Sequence, residues 1–275
     1  MPGVHEAMSA VAAAISHFHN DITNPIFQAC HRFEELSRAA TAPLVEAMQE
    51  AEKARPMVTS YLIDRGWYLT CHFPFLVISR LDSLIRVGKH GEVDAIMCAL
   101  VCDSLMQVEE RLRLRFPHRA PILTDAFEAH RGTKFTLSIP TFLAQIDGIG
   151  CEILGIARQF FAEKNRAKGV KFKLGSIIIR GKEFHLGGAK HAMLEPLLEK
   201  MSIAADTDER DRRRLSEPWF GPLNRHGVHH GLDVDYPTEE NSLRCVTLLE
   251  HLLDADQFLN QEHPARLAKW KERLG

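Results

Sequence analysis

The feature that most constrains this chain is the spacing of its apolar residues, which recur at intervals of three and four through most of its 275 positions. That spacing gathers side chains on one face of a helix, whereas a half-buried strand alternates at every second position. Ile26, Phe27, Cys30, Phe33, Leu36 and Leu44 follow it behind Asn24, an N-cap residue with Pro25 in the first turn. Pro56, Gly66, Pro74 and Gly88 predict shorter helices separated by turns in the stretch that follows. A long helix is expected next, because Val93, Ile96, Met97, Leu100, Val101, Leu105, Val108 and Leu112 hold the spacing until Phe116 and Pro117. Pro121 to His130 predicts another, ended by Gly132, and Pro140 opens one that runs to Leu154. Thr238 caps a last helix, with Glu239 and Glu240 at its positive end and Leu243, Val246, Leu249 and Leu253 on its apolar face. Ser176 to Ile179 is the sole strand-like run. The expected fold class is all-α, with an N-terminal helical region over 1–88 and a helical domain over 89–275.

Charge narrows the partners. A formal net charge of −2 and a pI near 6.7 give no global attraction for nucleic acid or anionic lipid, so any such partner needs a local patch. Phe160 to Lys190 is the one-sidedly basic stretch: Lys164, Arg166, Lys168, Lys171, Lys173, Arg180, Lys182 and Lys190 face only Glu163 and Glu183. A solvated loop has this composition, and so does a segment that holds a phosphate backbone, for which Lys168, Lys171 and Lys173 are the chosen RNA-binding residues. Glu209 to Arg214 is expected on a solvent face. The six cysteines form no CxxC pair, which predicts free thiols, with Cys98 and Cys102 in the core. Glu6 precedes the small apolar residues from Ala10 to Ile15, unlike a signal peptide, and the apolar runs at Phe73 to Ile78 and Ile96 to Cys102 are shorter than a membrane span. A cytoplasmic location without a membrane partner is expected.

Asn224, Arg225, His226, Gly227, Val228, His229, His230 and Gly231 place three imidazoles and a guanidinium in eight residues. Histidine exchanges protons near neutral pH, and arginine forks onto phosphate oxygens. The two suffice for phosphodiester cleavage without a metal or cofactor. On a straight helix Arg225 shares a face with His229, and His226 with His230, while Arg225 and His230 lie about 140° apart. One copy is then a poor pocket, and a second copy across a two-fold axis would complete it. Other readings stay open. Arg225 and the histidines can cap and cross-link helices with Asp233, Asp235 or Glu239. His226, His229, His230, Asp233 and Asp235 can ligate a divalent ion, although no H-E-x-x-H spacing supports it. Asp147 is expected to bond a neighbouring backbone or arginine, or to orient a histidine if its helix lines the segment. Trp67, Tyr68, Trp219 and Phe220 are expected as packing anchors. Gly148, Gly150 and Gly155 predict a loose or closely packed helix; their spacing is not that of a dinucleotide-binding loop.

Arg225, four intervening residues and His230, late in a helical chain and followed by a final helix, resemble the R-x4-H signature of the HEPN superfamily. His226 matches its polar residue after the arginine. The phrase from Asn224 to Gly231 with Val234, Asp235, Tyr236, Glu239, Glu240, Asn241, Ser242 and Leu243 resembles a group of uncharacterised bacterial HEPN-like proteins. That group also shows counterparts of Ile139, Pro140 and Leu143 to Ile149. Pro237 departs from it at a turn position where glycine is expected. The resemblance covers roughly 115–257, more faintly from Gly66 and Trp67, and not the first 55 residues. It implies a dimeric helical bundle that cleaves RNA by 2′-hydroxyl attack as a toxin or antiviral effector, with a neutralising or regulatory protein partner, or a silent RNA-, nucleotide- or protein-binding module. By match to the motif, His230 is the principal proton-transfer residue and Arg225 the phosphate clamp. His226 and Asn224 are auxiliary hydrogen-bonding groups.

Overall fold

Helical spacing becomes helix throughout the residues that the computed structural model describes, which are 24–70, 73–157, 159–162, 164–166, 170–173, 176–179, 182–185, 194 and 201–261. The elements in order are α1 (Asn24–Asp64), α2 (Phe75–Arg86), α3 (His90–Arg115), α4 (Ala120–Arg131) and α5 (Phe135–Leu154), then β1 (Val170–Lys173), β2 (Ser176–Ile179) and β3 (Lys182–His185), and finally α6 (Thr207–Arg214), α7 (Arg225–His229) and α8 (Glu239–Gln261). The protein is mostly helical, as the apolar spacing predicts.

Two prolines behave otherwise than expected. α1 runs unbroken through Pro56, because burial of Ala51, Val58 and Leu62 along one face offsets a lost backbone bond. It ends at Gly66, whose φ of +78° suits the left-handed C-terminal turn in which the Gly66 and Trp67 amides donate back to Ile63 and Leu62. α5 begins five residues before Pro140, which lies inside it. A proline there leaves the Thr136 carbonyl without its helical donor, and the Tyr236 hydroxyl donates to that oxygen at 3.4 Å.

The chain divides into two compact units, Met1–Glu50 and Ala51–Gly275. The division falls well before the expected 88/89 boundary, because Val58, Leu62, Trp67, Ile78 and Leu81 share one core with the later helices. In that second unit α8 packs on α3 and α5, and α4 also packs on both. Leu243, Val246, Leu249 and Leu253 are buried, and the Thr238 hydroxyl accepts from the Asn241 amide as the expected cap. Trp67 and Tyr68 are fully buried anchors; the Trp67 indole donates to Asp94, which also pairs with Arg65 and Arg244. Among the described residues α5 alone is long and apolar enough to cross a membrane by length and composition, with 56% of its apolar window buried against the rest of the unit.

Three local expectations are corrected. The strand-like run is the middle of a three-stranded antiparallel sheet, in which Val170 lies opposite Ile179 and Ile179 opposite Lys182. The α6 run is no solvent face: Arg210 is buried and pairs with Asp211 and Asp233, and Arg213 reaches Asp64 and Glu217 while its guanidinium lies 3.6 Å from the centre of the Phe220 ring. Arginine stems cover apolar surface while their heads find partners, so a charged sequence can still be an anchor. Of Cys98 and Cys102, one helical turn apart on α3, the first is partly buried and the second is exposed, so Cys102 does not belong to the core.

Candidate functional site

The Asn224–Gly231 segment folds as a single short helical turn with both ends closed. At its start the Asn224 side chain accepts from the Gly227 amide at 2.7 Å and donates to the Ala205 carbonyl at 2.7 Å. Asn224 is fully buried, and its side-chain amide is engaged by the backbone on both sides. At the other end Gly231 takes φ +67°, and the Leu232 and Gly231 amides donate to the Gly227 and Val228 carbonyls. This left-handed closure leaves His230 as the capping residue rather than part of a straight helix. Gly227 is required for close approach, since a β-carbon there would lie 2.9 Å from that of Asp233.

The turn packs on α5 and on the 3-10 turn Ser202–Ala204. Beside it lies a cleft of about 270 Å³ lined by Gln159, Phe161, Lys164, Arg166, Arg225 and His226, with Ala162 and Ala204. No carboxylate lines it among the described residues. Arg225 is half-buried, its guanidinium 5.1 Å from the centre of the Phe161 ring, and its Nε is buried without a hydrogen-bond partner. Asp233, one of the partners considered for it, is taken by Arg210 at 3.2 Å. Asp147 on α5 accepts from the Phe161 amide at 3.2 Å, which is the backbone role expected for it. It thereby holds the ring on which Arg225 rests.

The imidazoles separate by position. His226 is half-buried and lines the cleft, and its ring lies nearly parallel to that of His230, 14° apart in plane with centroids 5.8 Å apart. His229 and His230 are exposed. Burial first, then the charges of Arg225 and His230, pushes the His226 pKa below the ordinary histidine value. His229 moves the same way, through partial burial and the same two charges, with Asp147 opposing. Both are therefore neutral at pH 7, the form that accepts a proton. No cluster of three or more His, Cys, Asp or Glu side chains arranged to hold a metal ion occurs among the described residues.

Lys164 and Arg166, expected only as members of a basic stretch, are the residues of that stretch that reach the cleft. The chosen RNA-binding residues are not placed there: Lys168 lies outside the described residues, and Lys171 and Lys173 lie on β1. Phe161 and Gln159 were not foreseen as site residues. The available signal was Gly150, where a β-carbon would lie 2.4 Å from the Phe160 ring, marking the place where Phe160 closes onto α5. No protein-family model, curated protein or solved structure matches this chain.

Proposed function

We propose that the protein is a metal-independent endoribonuclease of the HEPN type, active as a homodimer and serving as a toxin or antiviral-defence effector. The observation that carries this reading is the placement of Arg225, a half-buried guanidinium with no carboxylate partner among the described residues, in one cleft with a neutral imidazole, His226. Arginine suits the charge that develops on the non-bridging phosphate oxygens. A neutral imidazole takes the proton of a ribose 2′-hydroxyl, the 2′-oxygen bonds to phosphorus, and the bond from phosphorus to the 5′-oxygen breaks. A second imidazole protonates that leaving oxygen, so the products are a 2′,3′-cyclic phosphate and a 5′-hydroxyl. His226 and His230 form the natural pair, because their rings lie nearly parallel with centroids 5.8 Å apart, and the charge of His230 is among the influences that favour the neutral form of His226. His226 is thereby assigned a larger role than the auxiliary one the motif implies.

Cleavage of a single-stranded RNA in EDTA tests the proposal. The parent protein should leave cyclic phosphate ends, and Arg225→Ala should lose about 10²-fold or more of rate while remaining folded. Cleavage that needed manganese, or that survived Arg225→Ala unchanged, would reject it. One observation favours a silent binding module instead, namely that His230 faces solvent rather than the cleft. RNA bound in an Arg225-dependent way but never cut would establish that alternative.

A further inference from the structure

We propose that Gln159 is a substrate-contacting residue of the cleft that holds Arg225, where its side-chain amide donates to an acceptor oxygen of bound RNA. The proposal rests on the ribonuclease reading for its substrate, and its test measures binding apart from cleavage.

Backbone conformation singles this residue out. Among the described residues only Thr133 and Gln159 have a positive φ without being glycine, at 55° and 58°. In this left-handed region the β-carbon crowds the following carbonyl oxygen, so a side chain that persists there does so against a cost. Thr133 has a structural reason. It lies in the turn that closes α4, where its amide and that of Lys134 donate to the His130 and Ala129 carbonyls. Gln159 closes no helix, since α5 has already ended at Gly155, which takes its own φ of +68°. A strained residue that serves no helix end and lines a cleft fits a site where one side chain is needed in one place.

Its neighbours hold it there. Phe160 and Phe161, next along the chain, are buried; the first seats against Gly150 of α5, and the amide of the second donates to Asp147. The Gln159 carbonyl accepts from the Ala162 amide at 3.0 Å and from the Asn165 side-chain amide at 3.4 Å. Asn165 also donates to Oε1 of Gln159, at 3.3 Å. A glutamine amide offers an acceptor oxygen and two N–H donors, so with the oxygen turned to Asn165 the donors are left for a ligand. The side chain itself is exposed and lines the cleft together with Arg225 and His226. What it recognises is therefore an acceptor. RNA presents acceptor oxygens of two kinds, on the phosphate and on base carbonyls, and a neutral amide adds direction to the charge that Arg225 supplies.

Fluorescence anisotropy of the full chain with 2′-fluoro oligouridylate and 2′-fluoro oligoadenylate tests this, because these probes lack the 2′-hydroxyl nucleophile and bind without being cut. The parent should bind at low salt. Gln159→Met keeps the length of the side chain but removes its donors, and should weaken binding by about tenfold, as expected for one lost hydrogen bond. Gln159→Gly should bind as weakly as Gln159→Met while its thermal midpoint rises by about 2–4 °C, because glycine relieves the left-handed strain. Equal losses on both probes place the acceptor on the phosphate, and a loss confined to oligouridylate places it on a base carbonyl, which adenine lacks. A loss confined to oligoadenylate overturns the proposal. So does parental affinity in Gln159→Met, a midpoint that does not rise in Gln159→Gly, or a parent that binds neither probe. Binding that depends on Gln159 in a parent that cleaves no RNA upholds the contact and rejects the ribonuclease.

Discussion

At the scale of single residues, the Asn224–Gly231 segment divides into groups that build the turn and groups that face outward from it. Asn224 and Gly227 build it. Asn224→Ala removes a cap and leaves the Ala205 carbonyl without its donor at a buried position, so a loss of about 2 kcal/mol is expected by chemical denaturation. Gly227→Ala should cost about 1–3 kcal/mol, because the chain at Asp233 must move to admit the methyl group. Among the histidines the proposed mechanism ranks His226→Ala and His230→Ala as damaging, each by about 10²- to 10⁴-fold in rate. His229→Ala is the control, since that side chain neither lines the cleft nor stacks on its neighbour. Comparable cleavage by His230→Ala and the parent, with His229→Ala inactive, would discard this ranking in favour of the straight-helix argument. The depressed pKa values of His226 and His229 also fix a sign. The unfolded chain binds these protons first as pH falls through about 6.5, so the stability from the neutral native forms is lost below that value. Between pH 7 and pH 5 the denaturation midpoint of the parent should fall relative to that of a His226→Ala, His229→Ala variant.

Between elements, the α3–α8 contact carries a titration of opposite sign. Glu250 on α8 is 2% exposed; its Oε1 accepts from Arg111 at 3.3 Å, and its Oε2 is buried without a partner. Burial foremost, then the neighbouring Asp254 carboxylate, pushes its pKa up to about 7 against the pull of Arg111. The native state therefore holds this proton over a range in which the unfolded chain has released it, from the ordinary glutamate value to about pH 7. Its contribution to stability is present at the acid end of that range and is lost as pH rises through it. Glu250→Gln should remove this dependence, so that its denaturation midpoint rises relative to the parent between pH 5 and pH 7.5. If the two proteins moved in parallel, burial of Glu250 would not be the cause.

For the whole molecule, the ribonuclease reading includes a homodimer, in which a second copy would cover the solvent-facing His230 beside the cleft lined by Arg225 and His226. Leu232 and Val234, which follow the motif directly, are 69% and 75% exposed. Light scattering at micromolar concentration should show a dimer, and Leu232→Glu with Val234→Glu should shift it towards monomer; a parent that is already monomeric would count against the homodimer. RNA affinity should fall steeply with salt, as it does where phosphate contacts release counterions. Reversal of Lys168, Lys171 and Lys173 to glutamate should flatten that slope. An unchanged affinity and slope would restrict the electrostatic footprint to the cleft residues Lys164, Arg166 and Arg225.

Much of the helical architecture follows from the sequence by itself, since apolar spacing and capping act within four residues along the chain. This is why Thr238 and the apolar face from Leu243 to Leu253 are recognisable without coordinates. The Arg225 to His230 segment stands out equally well by composition alone. What lies around it was decided only by tertiary structure. Nothing local tells that Asn224 faces inward, that the arginines of α6 find Asp64 and Asp233, or that α1 continues through Pro56. Each of these depends on which distant surface a side chain meets. The cleft depends on it most of all, because Lys164 and Arg166 join Arg225 only when Phe160 and Phe161 close onto the glycine and aspartate of α5.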